Sequence, residues 1–393
     1  VVLCLIMAGT TYCEKLHVRQ GSDLQSVIDY AKSGDTLILA IKSFTAEPKA
    51  FADPLCGNCL DPLDGANASV GFVVKDKALT IIGQDRTGSK LITKAGYGLY
   101  FENSFGSELK NLTVTGGIRD VDGDATDAAV VVRNSRLLIS GCNLSDNDHR
   151  IDSVVVGIGG VFGREGADIT IHDCRIVNNA WDGIALYRGA TAKVTDCFIS
   201  QGRGAGIGVT WDATCVAYRN EVTGFWKGIG SFGTSVLVAR NNLVHNNLGW
   251  GLIATGRSFA DFANNVVVHN GNCGVAPWST ECHGRIKNNI IVDNGWREQW
   301  VCPCVGVWNY GDWAKWDFSN NIVYNNEAGN YEDIWDQTDL NGNISVDPMF
   351  IGENNYHLRP DSPARHAGDS AIYNIDGSVS DIGLYGGPQA KQP

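Results

Sequence analysis

Positive charge is scarce in this chain of 393 residues: 31 Lys and Arg stand against 43 Asp and Glu, giving a formal net charge of −12. Nucleic-acid binding leans on Lys and Arg contacts to phosphate, so no nucleic-acid partner is expected. Long apolar runs are missing as well. No run approaches the roughly 20 residues that cross a bilayer, so no transmembrane segment is expected. Helical spacing is almost absent. It holds over Leu24, Val27, Ile28 and Ala31 and nowhere inside the repeats of residues 111–326.

One short phrase is written again and again between Asn111 and Asn326. Clear copies are Cys142-Asn-Leu-Ser-Asp-Asn147, Cys174-Arg-Ile-Val-Asn-Asn179, Asn242-Leu-Val-His-Asn-Asn247, Asn265-Val-Val-Val-His-Asn270, Asn289-Ile-Ile-Val-Asp-Asn294 and Asn321-Ile-Val-Tyr-Asn-Asn326. Weaker copies begin at Asn111, Cys197 and Asn220, so the steps are 31, 32, 23, 23, 22, 23, 24 and 32 residues. A unit of 22–24 residues that sometimes carries an insertion marks a solenoid. Thirteen or fourteen residues before each phrase stands a small residue followed by an apolar one, as in Gly183-Ile184, Gly206-Ile207, Gly228-Ile229 and Gly251-Leu252. Beyond that pair, apolar and polar residues alternate with the period of a strand.

Short strands and turns repeating at this length predict an all-β, single-domain right-handed parallel β-helix. About ten coils stacked at roughly 4.8 Å make a rod on the order of 50 Å long. Asn at the first and sixth positions is expected to stack into amide ladders and to serve tight corners through the left-handed conformation. Cys142, Cys174 and Cys197 replace Asn at the first position and read as buried thiols. The third position, as in Ile176, Val244 and Ile291, faces the core.

At the start, Val1 to Gly9 is apolar and ends in small residues, like the tail of a secretory leader. Residues 1–13 are therefore set apart, and the protein is expected to be secreted, periplasmic or at the cell surface. Residues 14–393 form one domain: 14–40 a cap and first strand, 98–346 the repeat coils, 347–393 a closing segment. Ser22-Asp-Leu-Gln25 has capping-box form before a short helix that would cover the open lower end.

Leu24-Gln-Ser-Val-Ile-Asp-Tyr-Ala31 followed by Gly34-Asp-Thr-Leu37 resembles the opening of secreted right-handed β-helix proteins of the pectin-lyase-like superfamily. Asp347-Pro-Met-Phe350, Tyr356-His-Leu358, Ser362-Pro-Ala364 and the run from Asp376 to Gly387 resemble that family's bacterial closing segment. His366 stands where Asp is common, so no metal role is carried over to it.

Between Phe44 and Phe72 a loop holds Cys56-Gly-Asn-Cys59, read as a local disulfide staple. Cys302-Pro-Cys304 and the pair Cys273, Cys282 sit on later insertions and are candidate loop staples, but with 12 Cys, several of them expected to stack inside, the sequence leaves the pairing open. The charged run Asp146, Asp148, His149, Arg150 and Asp152 reads as a solvated corner.

Chemistry is sought where the coils are decorated. Counting from the small residue, offsets +1 and +3 point in, +2 and +4 out, and +5 and +6 lie on the corner. The exposed corner reads Arg164-Glu165, Tyr187-Arg188, Trp211-Asp212, Phe232, Arg257, Trp278, Trp308 and Tyr310. Trp181-Asp182, Trp226-Lys227 and Gly249-Trp250 precede their small residues. Flat aromatic faces among charges suit a polysaccharide, and a linear groove suits a linear polymer. Trp181, Tyr187, Trp211, Trp226, Arg257, Trp278, Trp308 and Tyr310 are the candidate sugar contacts.

Polysaccharide lyases of the resembled superfamily use Arg or Lys as base near acidic residues, often with Ca²⁺. The resemblance makes Arg164, Arg188, Lys227 and Arg257 candidate bases or carboxylate binders. It makes Glu165, Asp182 and Asp212 candidate acid or metal groups, with Ca²⁺ as the candidate cofactor. Elimination needs a base beside the C5 proton, whereas hydrolysis needs two carboxyls about 5–9.5 Å apart. Asp182 and Asp212, one coil apart, are the candidate pair for the second. The polygalacturonase pattern and the Asp-Pro-His-Asp signature of alginate epimerases are both missing. Two functions are expected in turn: an extracellular enzyme cleaving an acidic polysaccharide, or a non-catalytic glycan-binding or structural β-helix.

Overall fold

The computed structural model describes residues 13–19, 21–55, 64–147, 157–299 and 301–390. The alternating segments form strands of two to ten residues stacked in three sheets. Among the described residues, sheet I has twelve strands, from Lys15–Val18 to Trp316–Ser319; sheet II has eleven, from Ser43–Thr45 to Ile322–Tyr324; sheet III has twelve, from Lys49–Asp53 to Tyr331–Glu332. One turn of the winding visits sheet III, sheet I and sheet II. Ala205–Val209, Thr214–Tyr218 and Glu221–Thr223 lead to Lys227–Ser231, which pairs in parallel with Ala205–Val209.

This is the parallel β-helix that the repeats predict. It has more than ten coils, because the winding takes in residues before 98 that carry no asparagine phrase. Thr36–Leu39 already pairs with Thr80–Gly83, and Ser43–Thr45 with Lys90–Ile92.

Inside the rod, Leu99, Val130, Val161, Ile184, Ile207, Ile229, Leu252, Val275 and Val307 stack in register and are fully buried. Burying side chains of this size contributes roughly 1.5–3 kcal/mol each. The small residue before each of them is forced by sheet II. A Cβ on Gly183, Gly206, Gly228 or Gly251 would lie 2.2–2.5 Å from Ile199, Val222, Val244 or Val267, the third-position aliphatics.

The asparagines divide their labour. Asn242, Asn265, Asn289 and Asn321 each donate Nδ2 to the Oδ1 of the next Asn above at 3.0 Å. Asn247, Asn270 and Asn294 do the same in a second ladder at 2.9–3.0 Å. The left-handed corners fall elsewhere than expected: on the residue before each phrase (Asn241, Asn264, Asn288 and Asn320, φ 54–55°) and on its fifth position (Asn246, His269, Asp293 and Asn325, φ 51–54°). A ladder residue must aim its amide along the rod axis, so its neighbour makes the bend. Cys142, Cys174 and Cys197 extend the first ladder downward as buried thiols, with the Cys197 N–H donating to Asn220 Oδ1 (3.0 Å).

At the lower end the helix Leu24–Tyr30 buries Leu24 and Ile28. Its cap is Asp23 rather than Ser22: the Asp23 carboxylate accepts the Gln25 and Ser26 N–H groups at 3.2 Å. The segment after 347 does not plug the upper end. It runs back down the rod, laying Tyr356, Ala364 and Ile382 on Val266, Val268, Ile290, Val292 and Ile322 of sheet II. Arg219 Nη1 still reaches Gln389 O (3.1 Å), several coils below. Over this length the outer face of sheet II is covered by the chain itself. Among the described residues no helix is long and apolar enough to cross a membrane.

Candidate functional site

Three columns point outward from sheet III. The first runs Tyr97, Ala128, Gly159, Asp182, Ala205, Lys227, Trp250 and the second Tyr100, Val131, Phe162, Ala185, Gly208, Gly230, Ile253. The third begins Lys75, Glu102, Arg133, Arg164. On the corner beyond it, six successive coils use a non-glycine residue with positive φ: Asp76, Asn103, Asn134, Glu165, Arg188 and Trp211, at 33–56°. Asn, Asp or Gly suits such a bend, yet Glu, Arg and Trp occupy it at a cost of roughly 1–3 kcal/mol each.

The lower third of the face is a closed charge network. Arg164, expected on the exposed corner, is 0% exposed. Its guanidinium pairs with Asp53 (2.9 Å) and Glu165 (2.6 Å) and donates to Thr126 Oγ1 (2.8 Å). Arg133 bridges Asp53 (3.3 Å), Glu165 (3.7 Å) and Glu102 (3.8 Å), and Lys75 holds Glu102 (2.6 Å). Arg188 pairs with Glu165 across one coil (2.5 Å). Burial works against the Arg164 charge, but Tyr97, Asp53 and Glu165 outweigh it and push its pKa up. A guanidinium so placed stays protonated and cannot be a base; Arg164 is the keystone of this network. Asp212 accepts the Gly189 N–H (2.7 Å) at the exposed corner.

The aromatic strip divides in two. Trp181 and Trp211 pack with Phe162 and Tyr187, whose rings meet edge-on at 5.8 Å. Trp226, Trp250, Trp278, Trp308 and Tyr310 form an unbroken run with centroids 5.0–6.2 Å apart. Tyr187 and Trp308, expected on the exposed corner, are only 6% and 5% exposed, and Trp250 2%, because neighbouring large rings bury one another. Tyr310 ends the run in solvent at 64%. Arg257 is exposed on the corner.

Between the two aromatic groups the face is floored by Ala185, Ala205, Gly208 and Gly230. Gly208 is the open point: a Cβ there would meet nothing closer than 3.4 Å. Asp182 and Lys227 stand on either side of Ala205 in one column, two coils apart and so about 10 Å apart. Burial raises the Asp182 pKa to about 6, against the pull of the Ala205 N–H and Lys227. Burial also lowers that of Lys227, with Asp182 opposing, and the ammonium lies 5.6 Å from the Phe232 ring. Beside them a cavity of about 400 Å³ is lined by Gln201, Arg203, Gly224, Trp226, Leu248 and Arg297. The Arg297 guanidinium covers the Trp226 ring at 4.7 Å.

Asp182 and Asp212 do not form a hydrolytic pair. They sit at opposite ends of the strand direction, offset −1 against +6. The five steps from −1 to +4 alone span about 16 Å, beyond the roughly 9.5 Å limit for inversion. Among the described residues no three of His, Cys, Asp and Glu gather to hold a metal ion. Residues 1–12, Cys56-Gly-Asn-Cys59 and the run from Asp148 to Asp152 lie outside the described residues.

The sequence reading missed Asp53, Glu102, Arg133, Arg203 and Arg297. Lys75, Glu102, Arg133 and Arg164 share offset +4 from Gly71, Gly98, Ala129 and Gly160, so counting offsets into the phrase-free coils would have found that column. Arg297 lies on an insertion, where offsets lose meaning.

The family model described as the right handed beta helix region matches residues 66–222 and 160–328. No curated protein matches by sequence. Among solved structures the pectate lyase Pel9A is similar at a TM-score of 0.51 and 12% identity, over 96% of this chain and 97% of its own. The periplasmic alginate epimerase AlgG gives 0.42 and 11%, over 80% and 74%. The PL6 family alginate lyase AlyGC gives 0.41 and 12%, over 96% and 59%. Identities this low speak for the fold alone.

Proposed function

As the chain belongs to the right handed β-helix family, we propose that it is a carbohydrate-active protein whose open sheet III face holds an anionic polysaccharide and cleaves it by β-elimination. One observation carries this reading: Asp182 and Lys227 face each other across a floor of Ala and Gly, with burial disfavouring the Lys227 ammonium. Elimination needs a neutral amine within reach of the C5 proton of a uronate. Lys227 loses its proton more readily than an ordinary lysine and takes that role. The C5–H electrons form the C4–C5 double bond as the C4–O bond breaks, the proton passes to Lys227, and the leaving oxygen takes a proton from water. Asp182, ionised above about pH 6, is the positioning partner whose charge favours protonated Lys227. Positive charge for the sugar carboxylate comes from Arg203 and Arg297 in the adjoining cavity. Trp181 offers a ring on one side, and on the other stands Trp226 with Arg297 over its ring. That the pectate lyase Pel9A shares this fold along nearly its whole length supports the choice.

A binder without catalysis is the second reading. The self-satisfied pairing of Arg164, Glu165, Arg188 and Asp53 favours it, since those charges serve one another. Incubation with a panel of uronic-acid and neutral polysaccharides, with and without chelator, separates the two. Ultraviolet absorbance of unsaturated uronate ends supports elimination; binding without new ends supports the second reading.

A further inference from the structure

The cysteines of this chain are not alike. Cys142, Cys174, Cys197, Cys282 and Cys304 each donate the S–H to a main-chain carbonyl. Cys273 and Cys302 instead face each other, sulfur to sulfur at 3.2 Å, both buried and 29 positions apart. Cys282 lies in the central core, while Cys273 packs outside it against the Trp250 and Trp308 cluster. The inserted segment that carries Cys302 folds back on the coil below: the Gly295 N–H donates to Asn270 O and the Arg297 N–H to Gly271 O, both at 2.8 Å. Those two bonds hold only the near arm of the insertion. The far arm returns to sheet III at Val305, whose carbonyl takes the Gly274 N–H (3.1 Å), one residue from Cys273.

We propose that Cys273 and Cys302 are joined by a disulfide that fastens this insertion, and with it Arg297, to the outer face of sheet III. A disulfide has sulfurs about 2.05 Å apart, so closure asks for a movement of about 1 Å. Both sulfurs already sit on one packed wall. The reaction is exchange with a protein or small-molecule disulfide. One cysteine sulfur forms a mixed disulfide with the oxidant, and the second displaces the oxidant's remaining sulfur. The two cysteines are oxidised, the oxidant is reduced to two thiols, and the two hydrogens end on those thiols. Burial raises the Cys273 pKa well above the ordinary range, so exchange belongs to folding, before the wall closes. The proposal does not depend on the polysaccharide reading.

The test is peptide mapping of the full chain folded in a glutathione redox buffer. Unfolding in iodoacetamide without reductant, then trypsin, cuts after Arg285, Lys287 and Arg297 and so separates the two cysteines. The expected product is a linked pair, two hydrogens lighter than the separate peptides, that comes apart on reduction. Its fragment ions place the bond at Cys273 and Cys302 rather than Cys282 or Cys304. Alkylation of both Cys273 and Cys302 in most molecules would overturn the proposal, and so would a bond from either to another cysteine. As a second measure, reduction lowers the Tm of the wild type more than that of C273S/C302S; equal shifts in the two count against it.

Discussion

Lys227 and Asp182 are the residues on which the chemistry turns. Lys227→Met removes the base and is expected to lower kcat by about 10²-fold or more while leaving affinity for the uncut polymer nearly unchanged. For the wild type, activity climbs with pH as Lys227 loses its proton, at a pH below that of an ordinary lysine. Asp182 raises the Lys227 pKa, so Asp182→Asn moves that rise to lower pH. A pH–rate profile of the variant reads the shift, and an unmoved limb argues against the pairing. A second carboxyl gives a stability test. Asp127 is 3% exposed, and its Oδ1 lacks a hydrogen-bond partner among the described residues. Burial, then the Asp120 charge, pushes its pKa up to about 8. A carboxyl whose folded pKa is raised contributes stability in full below its unfolded pKa, about 3.9, and loses it as pH rises through about 8. Asp127→Asn is therefore expected to flatten the fall in Tm between pH 5 and 9, followed by calorimetry.

The coil is the element in which sequence and structure agree most closely, because its constraints are local and repeated. The glycine before each core aliphatic and the doubled asparagines of each corner reflect contacts one rung apart, and one rung is 22–24 residues. Asn265→Ala leaves the Asn242 N–H and Nδ2 without their acceptor, which costs about 3 kcal/mol and is read by denaturant unfolding. What the sequence hid was placed by contacts of longer range. Arg164 meets Asp53 at a separation of 111 residues and Arg133 meets it at 80, across coils that carry no asparagine phrase. An outward position also does not make an exposed side chain. Trp250 and Trp308 are buried because Trp226, Trp278 and Val305 stand beside them.

Seen whole, the rod keeps the outer faces of sheets I and III open, and sheet III is the one that carries the aromatic rows. Residues after 347 cover sheet II, the helix Leu24–Tyr30 covers the lower end, and sheet III keeps its outer columns with a shallow floor midway along. Filling that floor is the most direct trial of the account. Gly208 is buried in its strand but has room for a Cβ, so Gly208→Phe is first checked for folding by denaturant unfolding and only the folded variant is compared. The decisive measurement is the release of unsaturated uronate ends from acidic polysaccharides by wild type and Gly208→Phe, with binding of the same polymers measured in parallel. The account predicts product and binding for the wild type and loss of both in the folded variant. A variant that binds and cleaves like the wild type would place the site elsewhere on the rod.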